Sequence, residues 1–213
     1  MNMEINMKIN TIKTQPSPAA SKGNILISEN YYLILALQSL CPGLIPINPA
    51  TPDHSLFLLL KKTDSIRVFV DSKICSAGHL ALLENIVEKA GNAEIAWLQT
   101  DRVPPPPLKN IHKIIEMDQE INAFKKVIRS RKIKDRHNAC TSYTLTRSEI
   151  KLLPFFLEKI GNKQLPEQFK HKEKNLLSHR ANIVNKTGFS SFAFLQALYT
   201  RNGETFLRMY LAA

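Results

Sequence analysis

The chain has 213 residues, of which 44% are hydrophobic and 22% are charged, and its formal net charge is +11. This length and apolar content are typical of a globular protein with room for two small domains, and they exclude a wholly disordered chain. A membrane span is not expected, because the longest apolar stretch, residues 31–47, is interrupted by polar residues, a glycine and two prolines. No signal peptide is recognisable either, so the sequence predicts a cytoplasmic protein.

From residue 24 onward, short apolar strands alternate with helical stretches. Strands are predicted at residues 25–27, 44–47, 66–70, 94–98 and 112–115, and helices at 31–40, 77–89 and 123–128, with a leucine-dense helix or strand up to Lys62. This alternation predicts an α/β domain with a parallel sheet and helices on both faces. Four consecutive prolines at 104–107 leave no room for a helix before the fifth strand, so the fourth helix should be missing.

Four regions follow from composition. Residues 1–22 are polar and aperiodic, which predicts a disordered segment. The α/β domain is assigned to 23–130, a basic linker to 131–141 and an all-α domain to 142–213. Residues 125–136 contain 7 Lys+Arg against 1 Asp+Glu, and residues 141–213 contain 11 against 5, which leaves 11 against 12 for the first 124 residues. A positive excess confined to one end is typical of nucleic-acid binding.

The C-terminal region begins with a clear helix signal. Thr146 followed by Glu149 is a capping box, which predicts a helix from about Arg147. Ile150, Leu153, Leu157 and Ile160 recur at helical spacing on its predicted buried face, and Gly161 and Asn162 should end it.

A second helix is predicted over residues 173–186. Leu176 and Ile183 lie on one side of it, and Lys174, Ser178, Ala181 and Asn185 lie opposite. A surface of such short residues could enter a major groove about 12 Å wide. Five cations surround that surface and could neutralise phosphates, namely Lys170, Lys172, Lys174, Arg180 and Lys186.

Residues 145–189 resemble the helix-turn-helix of the LuxR/FixJ/NarL-type bacterial transcription regulators. The matching residues are Leu145, Thr146, Glu149, Asn162, Lys163, Leu165, His179, Arg180, Asn182, Ile183, Lys186 and Gly188. Three positions depart from the family pattern, because Ser148 replaces an arginine, Pro166 replaces a small residue and Leu177 stands where many members carry a lysine. The resemblance implies a four-helix LuxR-type domain.

The resemblance also implies two surfaces. DNA-binding positions would be Lys163, Lys172, Lys174, Asn175, Leu177, Ser178, Arg180, Ala181, Asn182, Asn185 and Lys186. Ser190 and Ser191 offer the N-cap of a further helix, on which Leu195, Leu198 and Tyr199 are candidates for the family's dimer contact, although plain core packing explains them equally well. Residues 205–211 form an apolar tail that could dock on this helix.

The α/β domain resembles the receiver domain that precedes this helix-turn-helix in response regulators. Asp71 would stand at the phosphoacceptor position and Thr100 or Gln99 at the hydroxyl position. Glu29 is the only acid of the expected metal-binding pair, and Glu116 and Met117 occupy the place of the usual lysine. These departures predict an atypical receiver with a vestigial pocket of Glu29, Asp71 and Thr100, similar to auxiliary regulators of the RcsA and GadE type.

No catalytic site is expected. The six histidines show no zinc spacing, and no glycine-rich phosphate loop or nucleophile motif occurs. Cys41, Cys75 and Cys140 are read as small apolar residues, so no metal or cofactor is predicted.

Two functions fit the sequence. The first is a transcription regulator that binds duplex DNA as a homodimer or as a heterodimer with another LuxR-type regulator, without conventional phosphorylation. The alternative is an interaction module that pairs with a second regulator and makes few base contacts itself.

Overall fold

The computed structural model of the chain describes residues 23–52, 66–89, 93–108, 111–130, 145–158 and 173–211. The predictions for residues 1–22, for the leucine-dense stretch up to Lys62 and for the linker 131–141 lie outside these residues. The strands, numbered β1 to β5, are Gly23–Ile27, Leu44–Ile47, Ile66–Asp71, Glu94–Gln99 and Ile111–Glu116. The helices, numbered α1 to α8, are Tyr31–Leu40, Lys73–Ala77, Leu80–Lys89, Ile121–Arg129, Arg147–Leu157, Glu173–Thr187, Phe192–Asn202 and Glu204–Leu211.

The strands form one parallel sheet in the order β2-β1-β3-β4-β5. β3 is buried at every position, as expected of an inner strand covered on both faces. This order is that of doubly wound α/β proteins, in which functional groups gather at the carboxyl ends of the strands where the order reverses, here between β1 and β3. The predicted α/β domain with a parallel sheet is therefore confirmed.

Two hydrophobic cores flank the sheet. One lies under α1 and α4 and includes Leu37, Phe69 and Phe124. The other lies under α2 and α3 and continues into α5 to α8, so that strand residue Val70 and helix residue Tyr210 belong to the same cluster. The sheet and the C-terminal helices thus share a core.

Polar contacts join the two parts of the chain where α7 and α8 pack on α2 and α3, a contact that we call the interdomain interface. The Asn202 side chain donates to the Cys75 carbonyl at 2.8 Å and accepts from the Leu80 backbone N–H at 3.1 Å. The Arg208 guanidinium forms two bonds of 2.8 Å to the Glu84 carboxylate. Backbone groups and charged side chains on each side of this contact therefore have hydrogen-bond partners on the other side.

The segment between β4 and β5 is not helical over residues 100–108, the part of it that the structure describes. This finding agrees with the prediction that prolines 104–107 prevent a fourth helix. The Tyr210 hydroxyl donates to the Pro104 carbonyl at 2.8 Å, so the last helix of the chain holds this segment.

The helix predicted over residues 77–89 begins later than expected, and a short helix that was not predicted, α2, precedes it. Gly78 has φ +95° and ends α2, after which α3 begins at Leu80. A Cβ atom at Gly78 would lie 3.2 Å from the Arg201 carbonyl oxygen of α7. Glycine at this position therefore provides both the left-handed backbone and the close approach of α7.

The first C-terminal helix, α5, begins as predicted. The Thr146 side chain accepts from the Glu149 N–H, and the Glu149 carboxylate accepts from the Thr146 N–H, so the capping box is confirmed. Leu153 and Leu157 are buried as expected, but Ile150 is 51% exposed. The buried face is instead completed by Leu152 and Phe156, whereas Ile160 lies outside the described residues.

The remaining helices follow the predictions closely. α6 spans Glu173–Thr187, one residue longer than expected. The Ser191 side chain accepts from the Phe194 N–H at 3.1 Å and thus caps α7. The apolar tail forms α8, which packs on α7 and on α3.

Candidate nucleic-acid interface and the Asp71 pocket

The two sides of α6 differ as the sequence predicts. Leu176, Ile183 and Thr187 are buried, and the Thr187 hydroxyl donates to the Ile183 carbonyl at 2.7 Å. The opposite side, which we call the outer face of α6, is exposed and consists of Asn175, Ser178, Ala181, Asn182 and Asn185. None of these side chains is longer than asparagine, so the helix backbone could approach a groove floor closely.

Leu177 lies beside the outer face and is 57% exposed. An aliphatic side chain can contact a thymine methyl group, but it cannot hydrogen-bond to a base edge. The hydrogen-bonding groups of this surface are the amides of the three asparagines and the hydroxyl of Ser178.

Lys186 is held within the chain. Its Nζ lies 2.7 Å from Oε2 of Glu149, which is 2% exposed. Burial by itself would raise the pKa of the Glu149 carboxyl, but hydrogen bonds from Lys186 and Thr146 outweigh it, and the pKa is lowered. In this arrangement the ammonium group of Lys186 stabilises the cap of α5.

Arg180 is also engaged within the chain. Its guanidinium lies 4.8 Å from the centroid of the Phe156 ring and 5.4 Å from that of Phe192. Stacking on these rings gives Arg180 a packing role between α5, α6 and α7. The sequence analysis assigned phosphate contacts to both Arg180 and Lys186, and the structure shows that each also has an intramolecular partner.

Four further predicted cations lie outside what the structure describes. Lys163, Lys170 and Lys172 are outside the described residues, and Lys174 belongs to α6 but its side chain is not described.

The candidate dimer residues need a correction. Leu195 and Leu198 are buried in the core that the sheet shares with the C-terminal helices, and Tyr199 packs against that core. α7 docks on α2 of its own chain, so in this arrangement neither leucine could contact a second copy. Of the two explanations weighed for these residues, the structure supports core packing.

The Asp71 carboxylate lies at the carboxyl end of β3 and is buried. It accepts hydrogen bonds from the Ser28 hydroxyl at 2.6 Å, from the Lys73 backbone N–H at 3.0 Å and from the Thr100 hydroxyl. Three donors therefore occupy its two oxygens, and Thr100 rather than Gln99 is the hydroxyl neighbour of Asp71.

The structure adds Asp101 to the pocket, which the sequence analysis missed. Its carboxylate accepts from the hydroxyls of Ser72 and Ser76, each at 2.8 Å. The signal available in the sequence was an acid directly after Thr100, the hydroxyl residue that follows β4. Asp101 ties the loop after β4 to α2, because Ser76 is an α2 residue.

Glu29 lines the same pocket but does not pair with Asp71. Its Oε1 lies 3.0 Å from Nε2 of His79, at the start of α3. The lining also includes Lys73. Glu116, at the end of β5, is exposed and is not part of the pocket lining. Within the described residues, no group of histidine, cysteine, aspartate and glutamate side chains could hold a metal ion.

In the described part of the chain, no helix is both long and apolar enough to span a membrane.

The solved structures that resemble this chain include three of response regulators. The complex of the two-component response regulator RcsB with DNA matches with a TM-score of 0.51 and 14% identity, over 84% of this chain and 97% of that chain. RcsB from Salmonella enterica serovar Typhimurium bound to a promoter matches with a TM-score of 0.43 and 15% identity, over 83% and 98% of the two chains. Full-length FixJ from B. japonicum matches with a TM-score of 0.35 and 18% identity, over 84% of this chain and 97% of that chain.

At such low sequence identity a match shows only the fold, and the first of these structures supports a receiver-like α/β fold with a parallel five-stranded sheet. No family model matches the sequence, and no curated protein matches it.

Proposed function

We propose that this chain is a cytoplasmic transcription regulator of the LuxR type that binds duplex DNA as a dimer, with α6 in the major groove. The observation that carries the proposal is the outer face of α6, an exposed surface of short polar residues on a helix whose other side is buried. Support comes from the positive excess of residues 125–136 and 141–213 and from a fold shared with a regulator that was solved on DNA. In this proposal the chain regulates transcription and has no enzymatic activity.

A second function is favoured by Leu177. An aliphatic side chain that is 57% exposed next to the outer face is suited to a protein contact. The intramolecular partners of Lys186 and Arg180 also reduce the charge that this helix offers to phosphates. In this alternative, the chain pairs with a second regulator and contributes few base contacts.

A carboxylate on the outer face of α6 should separate the two functions. We expect Ala181→Glu to weaken binding to specific and random duplexes by about tenfold or more, because the added charge would face the phosphates. The measurement is a titration of purified protein, without any partner, against labelled duplexes at one fixed salt concentration.

Ala197→Glu is the matched control, since Ala197 is an exposed helical alanine of α7 and the change in net charge is identical. Equal affinities of the two variants would contradict the placement of α6 in the groove. If the wild-type protein binds no duplex until a second regulator is added, the interaction module is the better description.

The Asp71 pocket supports a structural role for its aspartate. The Asp71 carboxylate accepts hydrogen bonds from the Ser28 and Thr100 hydroxyls and from the Lys73 N–H. It thereby connects the end of β1, the start of α2 and the loop after β4. We propose that control does not pass through phosphorylation of Asp71. Acetyl phosphate should then leave the mass of the protein unchanged, and Asp71→Asn should bind DNA with wild-type affinity. Stoichiometric labelling that disappears in Asp71→Asn would contradict this assignment.

A further inference from the structure

The outer face of α6 contains three amides, a hydroxyl and a methyl group, and none of its five residues is charged. On a helix, residues that are four apart form rows along the surface. Leu177, Ala181 and Asn185 form one such row, and all three are exposed. Ser178 and Asn182 belong to the row beside it. When α6 lies in a groove, these two rows therefore present uncharged side chains to the base edges.

The two cations of α6 whose side chains the structure describes are held away from the middle of this surface. With about 100° per residue, Arg180 lies about 160° around the helix from Ser178, and its guanidinium is 4.8 Å from the centroid of the Phe156 ring. Lys186 lies about 80° from Ser178, and its Nζ is 2.7 Å from Oε2 of Glu149. Arginine and lysine are the side chains that most often read guanine, through its O6 and N7 atoms. Neither cation is placed to do so while it keeps its intramolecular partner.

The uncharged side chains suit A·T pairs. An asparagine amide can accept a hydrogen bond from N6 of adenine and donate one to N7. The methyl groups of Leu177 and Ala181 can contact the C5-methyl group of thymine, which cytosine lacks. A hydroxyl can donate or accept, so Ser178 can pair with either kind of base pair. The row of Leu177, Ala181 and Asn185 thus fits thymine and adenine, and it contains no cation that could bind both acceptors of guanine.

We propose that α6 reads A·T pairs through the major groove, so that the duplex bound by this chain has an A·T-rich half-site in which α6 contacts no guanine. In this arrangement Leu177 and Ala181 contact thymine methyl groups, and Asn185 binds the edge of an adenine. The inference rests on the proposed function, because it names the class of DNA sequence that the outer face of α6 takes.

Selection of bound duplexes from a random pool is the first test. The purified full-length chain, without any partner, should enrich half-sites whose central base pairs are A·T. A specified G·C pair at the centre of the half-site would overturn this inference and leave the proposed function in place. A chain that retains no duplex from the pool would overturn the proposed function itself, so the two failures are distinguishable.

Inosine separates reading through the major groove from reading through the minor groove. An inosine·cytosine pair shows the G·C pattern in the major groove, but it lacks the guanine amino group and shows the A·T pattern in the minor groove. Replacing the A·T pairs of the enriched half-site one at a time should weaken binding by about fivefold or more at the pairs that α6 contacts. Unchanged affinity at every pair would overturn the proposal, because the preference would then come from the minor groove or from DNA shape.

Uracil tests the methyl contacts. Replacing a thymine by uracil removes one methyl group from the major groove, which should weaken binding by about threefold at a contacted thymine. In Leu177→Ala this loss should disappear at one thymine of the half-site and persist at the others. Ile150→Ala is the matched control, since Ile150 is an exposed aliphatic residue of α5, and it should show every loss that the wild type shows. Wild-type losses at all thymines in Leu177→Ala would contradict the proposal.

Two changes of charge on α6 complete the experiment. Ala181→Arg should create a preference for guanine of about fivefold or more at one position, because an arginine can bind both acceptors of that base. Lys174→Met should weaken binding to all duplexes alike and select the same bases as the wild type. A guanine that the wild type selects and Lys174→Met does not would overturn the proposal, as would wild-type base preferences in Ala181→Arg. Fluorescence of Trp97, the single tryptophan and a buried β4 residue, shows whether each variant is folded.

Discussion

Tyr210→Ala is expected to lower the free energy of unfolding of the whole chain by about 3–5 kcal/mol, the cost of removing a large buried aromatic side chain. Tyr210 is fully buried, stacks on Phe206 with ring centroids 5.0 Å apart, and its hydroxyl donates to the Pro104 carbonyl in the segment between β4 and β5. Its loss would therefore leave a cavity in the core that the sheet shares with α5 to α8.

Trp97 provides the measurement, because it is the only tryptophan and lies in β4 rather than in the mutated helix. In guanidinium chloride, its fluorescence transition should shift to lower denaturant together with the loss of helical signal in circular dichroism. Ile150→Ala, which removes an exposed side chain, should change the free energy by no more than about 0.5 kcal/mol. A Trp97 transition that does not move in Tyr210→Ala would contradict a shared core.

Lys186→Met is expected to destabilise the chain by about 1–3 kcal/mol at neutral pH, because it removes the charged hydrogen bond to Glu149 while the carboxylate stays buried. Lys151→Met is the matched control, since Lys151 is an exposed lysine in the middle of α5. Chemical unfolding of both variants at pH 7 measures the difference. Equal stability of the two variants would show that the ion pair contributes nothing.

The same pair should make stability depend on pH. The pKa of Glu149 is lowered in the folded chain by Lys186 and Thr146, so ionised Glu149 stabilises the fold. That contribution is complete above the ordinary carboxyl pKa of about 4.3 and is lost as the pH falls through the lowered folded value. The difference between the wild type and Lys186→Met should therefore be largest at neutral pH and should shrink as the pH falls and Glu149 becomes protonated in both variants.

Local patterns in the sequence predicted much of the fold. The capping box at Thr146 and Glu149, the buried strand that ends in Asp71 and the prolines before β5 each act within a few residues, so sequence alone reveals them. The short helix α2 and its end at Gly78 were missed, because five residues are too few to show a helical pattern. The part of α7 that lies close to Gly78, at Arg201, comes more than 100 residues later in the sequence.

The partners of charged and apolar surfaces were harder to predict. Lys186 looked available for phosphate, but its partner Glu149 lies 37 residues away in the sequence. α7 is apolar on nearly every side, which indicates that two of its surfaces are covered without showing by what. The structure places the chain's own sheet domain there, so the dimer contact expected at Leu195 and Leu198 had to be reconsidered.

The shared core also has a consequence for synthesis of the chain. The bond from Tyr210 to Pro104 joins residues 106 apart, and the bond from Asn202 to Cys75 joins residues 127 apart. A ribosome adds about 5–20 residues per second. The apolar side of α2 and α3 is therefore exposed for seconds before the last helices have been synthesised and can cover it. Over that interval the nascent sheet domain presents an uncovered hydrophobic face, and a stop codon before α7 would leave that face permanently exposed.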